Sequence, residues 1–317
     1  MRIIRKFFNA LVNLLKSIFR KLHKSSRKME KNSLLYEAKI MCNIANGLTN
    51  YLFANHREYL NNEVKKYSIS LLKIAVLRMD SCTVLLENGS SVFIAENNSK
   101  FIDPFSISTL VRSIYEVLAV HYYYFYLHPN DCYTNVLVSL WKMSGIKNRL
   151  TPDNCPIEFK DKYDNDKEIY SKLKVTVEDS EVYKKSSNQD LLKKSMKQLK
   201  LLKFQEEDNS YNVELVTYGP ACKDIFAGTN LYKTHTFIYK LYSAISHPSY
   251  LNCIQVQEHN GAYNKYTETI FVGGILLLKR LIDNIIQVIP EGKEFVDSLP
   301  SNVKTCFDKW KLYEENQ

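Results

Sequence analysis

The sequence predicts an all-α protein, a helical bundle with a charged helical insertion and an N-terminal amphipathic basic helix. Three observations point there. Apolar residues recur at three- and four-residue steps over most of the chain, the period of a helix with one buried face. Glycine is scarce, nine in 317 residues, which argues against the glycine-rich phosphate loops of Rossmann and P-loop folds and against turn-rich β architectures. The segments with helical period also begin and end on residues suited to cap them.

The first element is "MRIIRKFFNALVNLLKSIFRKLHKSSRK", residues 1–28, which contains no Asp or Glu. Nine of the 43 basic residues stand in it, leaving 34 bases against 34 acids for the rest of the chain. The net charge of +9 therefore belongs to this segment, and the body is neutral. A basic domain that tracks nucleic acid is not favoured, because the excess is not spread over a domain. At about 100° per residue, Ile4, Phe7, Phe8, Leu11, Leu15, Ile18, Phe19 and Leu22 fall on one half of a helix, and Arg2, Arg5, Lys6, Lys16 and Arg20 on the other.

The longest uncharged run, Phe7 to Leu15, is nine residues, while a transmembrane helix needs roughly 20. Lys16 breaks the apolar core that a secretory signal would need. A basic polar face opposite a Phe- and Leu-rich apolar face is the pattern that lies flat in an anionic membrane interface. The membrane-contacting residues expected are Arg2, Arg5, Lys6, Phe7, Phe8, Leu11, Leu15, Lys16, Ile18, Phe19, Arg20 and Leu22. Three other readings stay open: a mitochondrial transit peptide, a helix that docks on a partner, and a helix packed on its own body.

Residues 24–33 read as a hinge, so the chain divides into a basic helix with its hinge (1–31) and a helical domain (32–317). Within that domain helices are expected over about 34–55 and 60–86. "SSVFIA" after Gly89 fits a strand or a loop. "DPFSISTLVRSIYEVLAVHYYYFYLHP" predicts the clearest internal helix, with Asp103 as N-cap, Pro104 at the first helical position and Pro129 closing it. Its apolar residues cover nearly the whole circumference, so it is placed centrally, and "YYYFYL" reads as aromatic core. Residues 158–210 read as an exposed, charged insertion with one amphipathic helix near 190–204. Further helices are expected over 229–247, 262–289 and 293–312, and Gly273–Gly274 suggests close helix packing.

The chemistry-bearing candidates lie on two of these helices. Arg112 and Glu116 stand four apart on the central helix, where an unpaired charge would cost several kcal/mol, so they are expected to join a tertiary polar network. The 229–247 helix offers a facing row in His235, Tyr239, Ser243 and His247, with Ser246 alongside. If the protein is an enzyme, Arg112, Glu116 and His247 are the candidate catalytic residues. If it is not, Tyr239, Ser243, His235 and Ser246 complete a ligand-binding or register-fixing network. The sequence contains no His-Glu-x-x-His, no Gly-x-Ser-x-Gly and no Cys-x-x-Cys, so it calls for neither a metal nor a cofactor. The seven cysteines are dispersed, as expected of reduced thiols in a cytoplasmic compartment.

"VLLENG" (84–89), "LVRSIYE" (110–116) and "YSAISHPS" (242–249) together resemble an uncharacterised family of bacterial all-helical domains. The resemblance implies that Arg112, Glu116, Ser243 and His247 share a site, and it implies no reaction. The bundle is also similar in outline to the HEPN group of helical ribonucleases of toxins and antiviral systems. Their motif sets an Arg four to six residues before a His, whereas eight residues separate Arg112 from His121. The reading that follows is a helical binding or effector module, cytoplasmic and peripheral on the inner face of the membrane. An anionic membrane surface is its main partner, and a protein partner or a second copy is a further one. The resemblance adds a role in antiphage defence. The alternative is a HEPN-like ribonuclease or phosphoryl-chemistry effector.

Overall fold

The computed structural model describes residues 31–88, 103–128, 132–150, 157–208, 210–227, 239–240, 242–243 and 262–315. The basic segment, with every membrane-contacting residue assigned to it, lies outside these residues. So do "SSVFIA", His235, Ser246 and His247.

The all-α expectation holds, with one small sheet among the described residues. Helices α1 (Lys31–Asn55) and α2 (Glu63–Asn88) are joined by a short 3-10 turn, Arg57–Asn61, and an ion pair of Lys39 with Glu87 sets them antiparallel. Helix α3 (Pro104–His121) begins as its sequence requires. The Asp103 carboxylate accepts from the Phe105 and Ser106 amides, at 2.9 and 3.2 Å, and Pro104 takes the first position, where an amide would have no intrahelical partner anyway. Helix α3 runs antiparallel to α2: the Cys82 thiol points at the Ile107 carbonyl, and Tyr67 lies near Phe125.

The long α9 (Ala262–Val288) closes the bundle against α2 and α3. At Gly274 any Cβ would stand 3.1 Å from both Met79 and Val111, so this glycine lets three helices approach closely. Farther along, the Tyr126 hydroxyl bonds Gln287. Contacts of 111 near 274 and of 126 with 287 make α3 and α9 parallel and closely packed along their length.

Past α3 the chain widens into a π-helical turn, Tyr122–Tyr126, whose first four rings are buried. The aromatic-core reading of this run is correct. Helix α4 (Thr134–Arg149) carries the insertion. Here the structure departs from the sequence reading. Helices α5 (Lys160–Asp179), α6 (Glu181–Lys184) and α7 (Gln189–Lys197) are followed by strands β1 (Leu201–Glu207) and β2 (Ser210–Val216), paired antiparallel. The expected 190–204 helix therefore stops at Lys197, and "LLKF" is strand. Its Leu202 and Phe204 are buried and face Leu215 and Val213 across the ladder. Helix α5 is as exposed as its charge suggested, and it is fastened to α4 by Arg149, which donates to both oxygens of buried Asp166 at 2.7 and 2.8 Å.

A short α8 (Tyr218–Ile225) follows the hairpin. The expected C-terminal helix is split into α10 (Gly292–Asp297) and α11 (Ser301–Glu315), with Pro300 between. Helix α11 is held by Lys279 of α9, which is buried, paired with Asp283, and set 4.2 Å from the Phe307 ring. Among the described residues no helix is long and apolar enough to cross a membrane.

Candidate functional site

Helix α3 turns Arg112 and Glu116 toward Tyr239 and Tyr218. Arg112 Nε donates to Glu116 Oε1 at 2.9 Å, and both side chains are partly exposed, 23% and 34%. Neither extreme applies: the pair is not sealed in the core, where its desolvation would be severe, nor is it a free surface pair of little worth.

Tyr239 joins this cluster; most of the expected 229–247 helix lies outside the described residues. The Arg112 guanidinium lies 5.8 Å from the centre of the Tyr239 ring, within cation–π range. Two more rings wall the pair. Tyr115 sits 4.9 Å from Tyr239, and Tyr218 stacks on it at 6.2 Å with 30° between the planes. Ser243 lies four residues beyond Tyr239 and is partly buried. His247, His235 and Ser246 fall outside the described residues, so the candidate catalytic trio is met here by Arg112 and Glu116.

Tyr115, Tyr218 and Cys222 were not foreseen. The first could have been read from its place three residues after Arg112. The other two come from α8, whose "YGPACKDI" looks like a loop because of Gly219–Pro220. Pro220 is tolerated because it stands in the first helical turn, where amides lack intrahelical partners. The Tyr115 hydroxyl then donates to the Tyr218 carbonyl and accepts from the Cys222 thiol, whose sulfur is 3.0 Å away.

The contact of this side of the bundle with α8 continues along the π-turn. Tyr122 donates to the Asp224 carbonyl at 3.1 Å and Tyr123 to the Asp224 carboxylate at 2.7 Å. Lys203 of β1 pairs with that carboxylate at 3.6 Å. Arg280 of α9 donates to the Ile225 carbonyl at 3.1 Å. Successive tyrosines thus tie α8 to α3, and the hairpin and α9 hold its far end.

The electrostatics follow from burial. The Tyr115 phenol is pushed far up by desolvation, with the Cys222 thiol adding to it. Tyr218 is pushed up to about 12, by burial first and then by the Glu116 charge. Tyr239 is raised by burial, against the opposing pull of Arg112. All three phenols stay protonated near neutral pH. They offer donors and flat apolar faces, and none is a general base.

No family model matches this chain, and no curated protein or solved structure does either. The resemblance to the bacterial helical family therefore rests on the three sequence motifs alone.

Proposed function

We propose that this protein is a helical binding module held at an anionic membrane surface by its basic N-terminal segment, with the Arg112–Glu116–Tyr239 cluster receiving a ligand or a partner protein. The observation that carries the reading is the partition of charge: nine bases and no acids in residues 1–28, against a balanced body. Each base near an anionic surface contributes about 1 kcal/mol, and the eight large apolar residues of the opposite face supply the insertion energy.

Binding is favoured over catalysis at the cluster because its only carboxylate among the described residues, Glu116, is engaged by Arg112, and its phenols stay protonated. The role in antiphage defence belongs to this proposal through the resemblance alone, and the ribonuclease reading is its rival.

Cosedimentation with vesicles of phosphatidylserine and phosphatidylcholine tests the membrane part. The full chain should pellet with anionic vesicles and remain in solution with neutral ones. A chain in which Phe7, Leu11 and Leu15 are each replaced by Asp should not pellet. Equal partition of the two chains would defeat the reading.

A further inference from the structure

Helix α2 carries an uncharged strip on the face it shows to solvent. Ile74, Leu77 and Val84 recur at steps of three and seven and are 41%, 67% and 49% exposed, with Ser81 between the last two and Ser70 one turn before the first. The exposed face of α5 is different, laced with ion pairs such as Lys172 with Glu168 and Lys174 with Glu178. The Lys39–Glu87 pair fixes the register of α1 on α2 and brings Phe53 level with Lys73 and Ile74. Phe53 is 48% exposed at that level of α1, with the Arg57 guanidinium 5.1 Å from its ring.

Size decides among the possible occupants. The four side chains present roughly 400 Å², half of the about 800 Å² per partner that a stable interface between separate molecules needs. A tethered segment needs far less, because its effective concentration is about millimolar. Charge points the same way. The rims carry Lys73 and Arg78 against Asp80, beside the Lys39–Glu87 pair, a net of one positive charge, worth only about 1 kcal/mol at an anionic bilayer.

The chain outside the described residues fits this strip in length and in chemistry. By the register of the Lys39–Glu87 pair, residue 31 stands past the end of α2, about 16 Å along the hairpin from the level of Val84. Residues 23–30, eight in all, reach at most about 28 Å, ample for a reversal. Residues 3–22 as a helix measure roughly 30 Å, enough to pass Val84, Leu77 and Ile74 and arrive at Phe53.

We infer that, away from a membrane, residues 4–22 fold back along the α1–α2 hairpin and lay their apolar face on Phe53, Ile74, Leu77 and Val84. The polar face with its bases then points to solvent. Docking and insertion use the same apolar residues, so they exclude each other, and an anionic surface releases the segment. Only this second state rests on the membrane reading; the docked state stands without it.

Hydrogen–deuterium exchange of the full chain in lipid-free buffer is the test. Amides of residues 4–22 should exchange at least tenfold more slowly than in the isolated 1–28 peptide. The substitution Leu77→Asp should abolish that protection, and dilution of the wild-type protein should not. Leu77 is exposed, so the melting temperature should hold, and Val84→Asp provides a second, independent variant. Exchange equal to the free peptide, or protection indifferent to both variants, overturns the proposal. Protection that fades on dilution also overturns it, because it makes a second copy the occupant. With phosphatidylserine vesicles, Leu77→Asp should bind about tenfold more tightly than wild type. If neither chain binds vesicles while the protection behaves as expected, the membrane reading fails and the docking stands.

Discussion

His121 closes α3 with no exposed surface, and neither ring nitrogen has a hydrogen-bond partner. Its neighbours are apolar, with the Phe125 ring 6.1 Å away. Burial pushes its pKa from 6.5 down to about 3, so the folded protein holds a neutral imidazole. The unfolded chain protonates it near 6.5. Stability from this group is therefore complete above pH 6.5 and is lost as the pH falls from there toward 3. Over the whole window the loss comes to about 5 kcal/mol, at 1.36 kcal/mol per pH unit. Between pH 7 and pH 5 the unfolded histidine goes from about one quarter to almost fully protonated while the folded one stays neutral, a cost of about 2 kcal/mol.

Urea unfolding at pH 7 and pH 5 measures this, and His121→Leu isolates it. Every other titrating group is common to both proteins and cancels in the difference. Wild type should lose about 2 kcal/mol more than the variant, a gap in midpoints of roughly half a molar urea. At pH 7 the variant should match or exceed wild type, because it removes buried polar atoms that have no partner. Parallel losses in the two proteins would refute the reasoning and show that the imidazole is protonated or hydrated in the fold.

Two further outcomes follow from named contacts. Asp166→Asn should cost about 1–3 kcal/mol, the worth of hydrogen bonds to a charged partner, with α5 losing exchange protection before the bundle does. The Arg149 guanidinium holds the Asp166 carboxyl below its usual range, so this contribution is present above about pH 4 and should fade as acid titrates through the lowered value. Gly273→Ala should destabilise by about 1–3 kcal/mol, since a Cβ there would collide with the Tyr242 hydroxyl. In a Tyr242→Phe background the same change should gain up to about 1 kcal/mol of helix propensity, and thermal melts of the four proteins would show any failure of that reversal.

What the sequence disclosed and what it hid divide along the range of the interaction. The cap at Asp103–Pro104 and the apolar circumference of α3 are local patterns; for Arg112 and Glu116 the sequence predicts a tertiary network, whereas they bond each other four residues apart. Tyr239 was within reach too, because the row at 235, 239, 243 and 247 has helical period. The hairpin was not. "LLKKSMKQLKLLK" is rich in helix formers, and its last residues become strand because Leu202 and Phe204 find Leu215 and Val213 across a turn that contains Asp208, at positive φ. Tertiary burial overrides propensity there. The tyrosine wall was hidden for a related reason. Tyr115, Tyr122 and Tyr123 bond residues of α8 about a hundred positions away, and no periodicity records such a partner.

That wall also bears on what the cluster can do. Bonds from Tyr115, Tyr122 and Tyr123 fix α8 at two residues, Tyr218 and Asp224, against α3 and the π-turn, so Tyr218 is held where it stacks on Tyr239. Arg112 and Glu116 sit at the open edge of this assembly, partly exposed, while the phenols behind them are committed and protonated. A fixed aromatic surface with a charged pair at its rim can orient a ligand without moving a proton. A functional effect of Arg112→Ala should therefore track ligand affinity and leave the pH dependence of binding unchanged, whereas a catalytic role would alter the pH profile as well.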